Sequence, residues 1–319
     1  MIRLIQYLLV LIVSSSSAQI VHSKKTFMLG SPFEMTVVAT DTIQANQYIN
    51  QAIEEVKRIE HLISDWIPTT QISKVNQNAG IAPVKVDQEV FELIERAIKI
   101  SKLTNGAFDI SYGSLDKSLW NFDKTMTSLP DPQTAKKMIH LIDYRNIILD
   151  RENTTVFLKE KGMRIGFGGI GKGYAVDEAL KTLKMQGVKK GMISAGSSIT
   201  VSKAPPSKKG WSVAADTIFF SNGAKRYIEN RSQSVSGDDQ QYLEWEGKRY
   251  SHLLNPLTGK PLSNGATCLV EGPNGLITDA LGTAFSIMDF DEIRKVLRWR
   301  KSIRVLCKRD DNFFKANWH

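Results

Sequence analysis

Cysteine is nearly absent from this 319-residue chain: only Cys268 and Cys307 occur. Two thiols allow one disulfide but no disulfide framework, and they cannot form a metal site by themselves. Basic runs are missing as well. The net charge is +9, yet nowhere do five Lys or Arg stand together, and no zinc-finger or RNA-binding aromatic signature occurs. A basic balance favours anionic ligands and acidic partners without naming them; without those signatures, nucleic acid is disfavoured. Repeats, low-complexity segments and long linkers are lacking. Long apolar runs are lacking too, except at the start. There Arg3 precedes an apolar stretch from Leu4 to Val13, broken only by Gln6, and Ser16-Ser17-Ala18 forms an acceptable cleavage site. Residues 1–18 are expected to be a secretory signal, too short for a good membrane span; an uncleaved anchor is the other reading. No Cys lies near the cleavage point, which excludes lipid attachment there. The expected location is the periplasm or the outer face of the inner membrane, with membrane contact only through the signal or a partner.

What is present is ordinary for a globular protein: 42% hydrophobic and 24% charged residues. Residues 19–319 are expected to form a single compact domain. Thr26–Leu29 and Phe33–Ala39 should pair around a turn at Gly30-Ser31-Pro32. Ile49, Ala52, Ile53, Val56, Ile59, Ile63 and Trp66 recur at helical spacing, and Pro68 should end that helix. Asp87 to Leu103 predicts a second helix closed by Asn105-Gly106, and a third should start near Asp131-Pro132. Ile147–Leu149 and Val156–Leu158 read as a hairpin, Tyr174–Met185 as a helix and Met192–Ser194 as a strand. Residues 211–270 are strand-rich. Helices follow over Asp279–Met288 and Phe290–Leu297. This order is α+β rather than a clean βαβ alternation.

The richest stretch runs from Arg164 to Asp177. Gly166, Gly168, Gly169, Gly171 and Gly173 surround Lys172, and a helix-prone run follows. Glycines let a backbone approach an anion, and a helix N-terminus adds a positive dipole end. The segment reads as a phosphate cradle, or as a tight strand-to-helix turn with no ligand. Two familiar patterns fit by letter and fail on physics. A Walker A loop needs Ser or Thr after the Lys, and Gly173 stands there. A dinucleotide fingerprint needs an acidic residue about 20 residues on, and 186–196 hold none. Downstream, Asp279 and Thr283 are four apart on one helical face. A carboxylate and a hydroxyl there suit magnesium with ligand phosphates completing the shell.

Taken together, these strings resemble the ApbE family, the FAD:protein FMN transferases. Met28-Leu29-Gly30-Ser31 is similar to the family's opening element. Arg58-Ile59-Glu60, Leu62 to Pro68, Ile72-Ser73 and Asn76 resemble the segment beside the flavin. Thr104 to Ser111, with Leu115 and Trp120, resembles the Gly-x-Phe-Asp element. Gly168 to Asp177 resembles the most specific string, with Gly171 where Ala is usual. Ser234 to Asp238, Ser251 to Gly259, and Asp279 to Thr283 complete the set.

The resemblance implies an α/β fold with a T-fold-like core. It also implies an exported enzyme that uses FAD and magnesium to place FMN on a Thr or Ser hydroxyl of an acceptor protein, releasing AMP. The expected acceptor is an ion-pumping or extracytoplasmic electron-transfer subunit. Asp279, Thr283 and the Gly169 carbonyl would hold the metal. Lys172 would bring positive charge to the phosphates. His252, neutral near pH 7, would be the general base. Trp66 would stack on the isoalloxazine, Asp177 would bond the adenosine part, and Asp109 would hold the flavin-side loop. Met28, Gly168, Gly196 and Ser236 complete the expected FAD contacts. Three departures stand out: Gly166 where Asp is frequent, Ser197-Ser198 where an Asp or Asn is common, and Asn255 in place of Asp. They leave room for an exported FAD-binding protein without transfer, or a magnesium-dependent FAD pyrophosphatase. A nucleotide kinase ranks last, because Gly173 defeats the P-loop.

Overall fold

The computed structural model describes residues 19–115, 126, 128–130, 133, 139–214, 218–220, 225–237 and 242–318. The leader, the helix expected near Asp131-Pro132, Trp120 and Asp238 lie outside the described residues. An eight-stranded sheet carries the fold. Its strands are β1 (Ile20–Met28), β2 (Ser31–Ala39), β3 (Gly191–Ala195), β4 (Ser198–Val201), β5 (Arg231–Gly237), β6 (Thr267–Gly272), β7 (Arg304–Arg309) and β8 (Asn312–Ala316). They lie side by side in chain order, every pair antiparallel. The sequence hid this order, because helices and hairpins are inserted between the strands.

Among the described residues the inserted helices are α1 (Thr42–Ile63), α2 (Gln71–Gln77), α3 (Gln88–Leu103), α4 (Gly171–Met185), α5 (Gly275–Ile287) and α6 (Phe290–Leu297). Helix α1 buries the apolar stripe that predicts it, Ile49 through Ile63. It stops before Pro68 and Trp66. The Ser64 Oγ accepts the Trp66 and Ile67 N–H groups at 3.2 and 3.3 Å, which turns the chain out of the helix. Helices α1, α4 and α5 line one face of the sheet, where Phe33, Met35, Ala179, Leu180, Val270 and Phe285 join one core. The hairpin of Trp211–Ala214 and Lys225–Ile228 covers part of the other face through Val38, Val201, Trp211, Val213 and Ile228. Glu271, 1% exposed, is neutralised there by Arg226, Arg231 and Arg304.

Cys268 and Cys307 face each other across β6 and β7 and form a disulfide with both residues fully buried. It closes a sequence separation of 39 residues, which for chain entropy alone corresponds to about 4 kcal/mol. The Cys268→Ala/Cys307→Ala variant is expected to unfold at a correspondingly lower denaturant concentration under oxidising conditions. An unchanged midpoint would show that the bond contributes nothing.

Candidate active site

Helix α4 begins inside the glycine run, three residues earlier than its apolar pattern suggests. An anion nest needs N–H groups with no partner. The structure commits most of them. Gly166 N–H donates to the Ile110 carbonyl at 2.9 Å, and Ile170 and Gly171 N–H both donate to Phe167 at 3.1 and 2.7 Å. Gly168 N–H donates to the Tyr112 hydroxyl at 3.0 Å. Gly173 N–H donates to the Asp279 Oδ2 at 2.8 Å. The anion at the positive end of α4 is therefore a carboxylate of the protein itself, and the open phosphate cradle expected from the sequence is mostly closed.

Asp279 reaches this point because α4 and α5 approach through glycine. A Cβ at Gly173 would lie 2.1 Å from the Gly275 carbonyl oxygen, and one at Gly275 would lie 2.5 Å from the Gly173 oxygen. This contact explains the missing Ser or Thr after Lys172. The α5 helix starts at Gly275, four residues before the expected Asp279. Its first turn is held by Asn274, whose Oδ1 accepts the Ile277 N–H at 2.9 Å, and by Asp177 from across the helix pair. Asp279 thus sits one turn inside α5, 4% exposed, with Thr283 on the next turn.

Thr283 faces the loop. A Cβ on Gly169 would lie 3.2 Å from the Thr283 Oγ1. The loop and α5 thus meet at two points, Gly169 against Thr283 and Gly173 against Asp279, and Lys172, the half-buried second residue of α4, lies between the two glycines in the chain. The donors on offer are a carboxylate, a hydroxyl and a backbone carbonyl, all hard oxygens, so the set fits magnesium. Among the described residues no group of three His, Cys, Asp or Glu side chains converges as a metal site.

The Asp109 carboxylate accepts from the Ser111 N–H and Oγ at 2.8 and 2.6 Å and from the Tyr144 N–H at 2.8 Å. It is an internal brace for the turn, and burial pushes its carboxyl up. Its neighbour Phe108 reaches toward Gly169. Met28, Gly196 and Ser236 gather at one end of the sheet. Met28 is buried at the close of β1. Gly196 turns between β3 and β4 with φ +54° and faces Ser31. Ser236 packs on Gly282 of α5, where a Cβ would come within 2.8 Å of its Oγ. That contact ties the sheet end to the helix bearing Asp279.

His252 occupies the bend after the strand Lys248–Ser251 and is half-buried. The bend is fixed on both sides: Ser251 N–H donates to Leu262 at 2.7 Å, and Leu253 N–H donates to the Ser251 Oγ at 3.1 Å. Leu257, in the turn beyond, packs against Gly106. Asn255 Oδ1 accepts the Leu257 N–H at 2.9 Å, so this residue shapes the turn. Trp66 is 72% exposed on the bend after α1, not a core anchor.

Asp177, expected to bond the adenosine part, has its carboxylate engaged by groups of the protein. Its Oδ1 accepts the Gly275 N–H at 2.7 Å and the Thr200 hydroxyl at 3.0 Å, and its Oδ2 accepts the Leu276 N–H at 2.9 Å. Burial pushes its carboxyl up against these three donors. Ser198 turns inward, fully buried, to Ser234, which meets Thr278 of α5.

Two further residues border the loop: Tyr112, which no motif includes, and Asp65, which enters only as part of the Leu62 to Pro68 string. The Asp65 Oδ2 lies 3.2 Å from where a Cβ on Gly166 would stand, with the Tyr112 hydroxyl 3.7 Å from the same point. A carboxylate therefore flanks position 166, supplied from the α1–α2 bend. Burial, then Asp65, and finally Asp279 push the Tyr112 hydroxyl up to about 12, against the Gly168 N–H. Neither residue shows a spacing that links it to the loop; the contact depends on the fold.

The ApbE family sequence model matches residues 29–307. An FAD:protein FMN transferase of Klebsiella pneumoniae is 30% identical over 248 residues, covering 76% of this chain and 75% of the relative. One of Treponema pallidum is 27% identical over 271 residues, 78% and 75% of the two chains. The crystal structure of the ApbE protein of Thermotoga maritima superposes with a TM-score of 0.83 at 25% identity, covering 93% of this chain and 97% of that one. The apo flavinyl transferase ApbE of Pseudomonas stutzeri gives 0.78 at 20% identity, covering 93% and 94%, and shares the fold. The family match spans most of the sequence, and the chain belongs to the ApbE family.

Proposed function

We propose that this chain is an FAD:protein FMN transferase that requires magnesium. The observation that carries the reading is that the glycine loop meets α5 at Gly169 against Thr283 and at Gly173 against Asp279, on either side of Lys172 in the chain, in a chain whose relatives bear that name. In the reaction, a Thr or Ser hydroxyl of the acceptor attacks the FMN phosphorus of FAD. A new P–O bond to the acceptor forms, the pyrophosphate bridge breaks, and AMP leaves. His252 takes the hydroxyl proton. Lys172 adds positive charge to the pyrophosphate, and Trp66 offers aromatic surface to the isoalloxazine. Magnesium held by Asp279, Thr283 and the Gly169 carbonyl supplies charge neutralisation for the phosphates and the departing AMP. The enzyme works outside the inner membrane. The apolar leader and the buried disulfide Cys268–Cys307 support that address, and the acceptor is an extracytoplasmic electron-transfer or ion-pumping subunit.

The test is an intact-mass measurement of a candidate acceptor domain after incubation with the mature protein, FAD and magnesium. An FMN-sized adduct that depends on magnesium is the expected result. His252→Ala should slow its appearance about a hundredfold, and full speed in that variant would refute the base. FMN and AMP without adduct would convert the reading to hydrolysis; FAD bound and unchanged would convert it to a binding protein.

A further inference from the structure

Helices α4 and α5 cap one another. Asp279 of α5 accepts the Gly173 N–H at the start of α4. Asp177 of α4 accepts the Gly275 and Leu276 N–H groups at the start of α5. Both carboxylates lie inside their own helix and serve the other's first turn, where unpaired N–H groups and the positive dipole end favour an anion. Between them the backbones meet at Gly173 and Gly275 with no room for a methyl group on either side. The result is a closed ring: Gly173 to Asp177 along α4, across to Gly275, along α5 to Asp279, and back to Gly173. A slide or rotation of α5 that moved Asp279 would have to break the Asp177 bonds as well. Thr200 of β4 completes the anchorage by donating its hydroxyl to the Asp177 Oδ1, and the Ser232 hydroxyl meets Thr200 at 2.8 Å.

We propose that Asp177 is a positioning residue for the divalent cation, fixing Asp279 and Thr283 through the first turn of α5 without touching the cation or the nucleotide. This rests on the reading that Asp279 and Thr283 bind the cation. The three bonds that Asp177 accepts all lie within the protein. An amide in its place keeps the shape but supplies one acceptor oxygen where two are in use, and it brings N–H groups toward N–H groups.

The probe is Mn2+, titrated into the mature full chain with FAD present and acceptor absent, with free Mn2+ read by EPR. Asp177→Asn is expected to weaken Mn2+ binding ten- to a hundredfold, the range found when partners behind metal ligands are removed. Thr200→Val, which deletes only one bond to Asp177, should give a shift of about threefold, and it decides the matter if the Asp177→Asn variant fails to fold. Asp289→Ala controls for stability. It breaks the capping box of α6, lowers Tm and should leave Mn2+ affinity within twofold. Asp279→Ala should abolish the Mn2+ site. If Asp279→Ala abolishes it while Asp177→Asn and Thr200→Val stay within twofold of the unaltered chain, the positioning role is wrong and the cation site stands. If Asp279→Ala binds Mn2+ as before, the cation site itself is wrong and the role of Asp177 falls with it.

Discussion

Gly173→Ala should lower stability by about 3 kcal/mol or more, a fall of roughly 5 °C or more in Tm. The added Cβ would stand 2.1 Å from the Gly275 carbonyl oxygen and 2.6 Å from the Asp279 Cβ. Both obstacles are held by helices on a packed sheet, so the two helices must part, and parting them strains the bond from Gly173 N–H to Asp279. Gly173→Ser, which would complete a Walker A pattern by letter, should do equal harm. Gly171→Ala is the contrast. Its Cβ would meet the Ile63 Cδ1 at 2.8 Å, the free end of a flexible side chain, and alanine favours a helix over glycine by about 1 kcal/mol. That variant should melt within a few degrees of the unaltered protein. Thermal unfolding followed by circular dichroism separates the two. Equal melting temperatures at positions 171 and 173 would mean that the helix contact is softer than the backbone distances require.

Asp279→Ala should reduce FMN transfer about a thousandfold or more at any magnesium concentration. Charge supplied by a bound cation is worth several kcal/mol in the transition state, and each 1.4 kcal/mol is about a factor of ten. The variant also frees the Gly173 N–H at the positive end of α4. Metal-free binding of FAD should therefore hold or improve while transfer is lost. Transfer is measured by adduct mass and binding by flavin fluorescence. A variant that keeps transfer within tenfold, or loses FAD binding together with transfer, would remove Asp279 from the role of cation ligand.

Much of this was legible in the sequence. The stripe Ile49–Ile63, the hairpin at Ile147–Leu158 and the helix after the glycine run declare themselves by period. Asp279 and Thr283 declare themselves by spacing on one helical face. What stayed hidden depends on contacts between distant segments. Gly275 is a poor helix former, so α5 reads as beginning at Asp279 until Asp177 is seen capping its first turn. The glycine run suggests open N–H groups because Tyr112 and Asp279, which take two of them, lie 56 and 106 residues away. Gly166 suggests a lost carboxylate, while Asp65 stands beside that position from the α1–α2 bend. Trp66 fits the helical stripe, but the Ser64 hydroxyl has already turned the chain outward. Strand order in the sheet had no local signature, since each neighbour is set by what is inserted before it.

The carboxylate at the start of α4 bears on how the nucleotide arrives. A bare pyrophosphate brought to that helix end meets like charge where the glycine run suggested a vacancy. The same pyrophosphate carrying a cation meets opposite charge and a ligand already in place. On the proposed function, the substrate is the magnesium–FAD complex rather than free FAD, and ADP or pyrophosphate without metal should compete poorly for the site. The protein would discriminate among nucleotides by the ion they bring before it reads their shape.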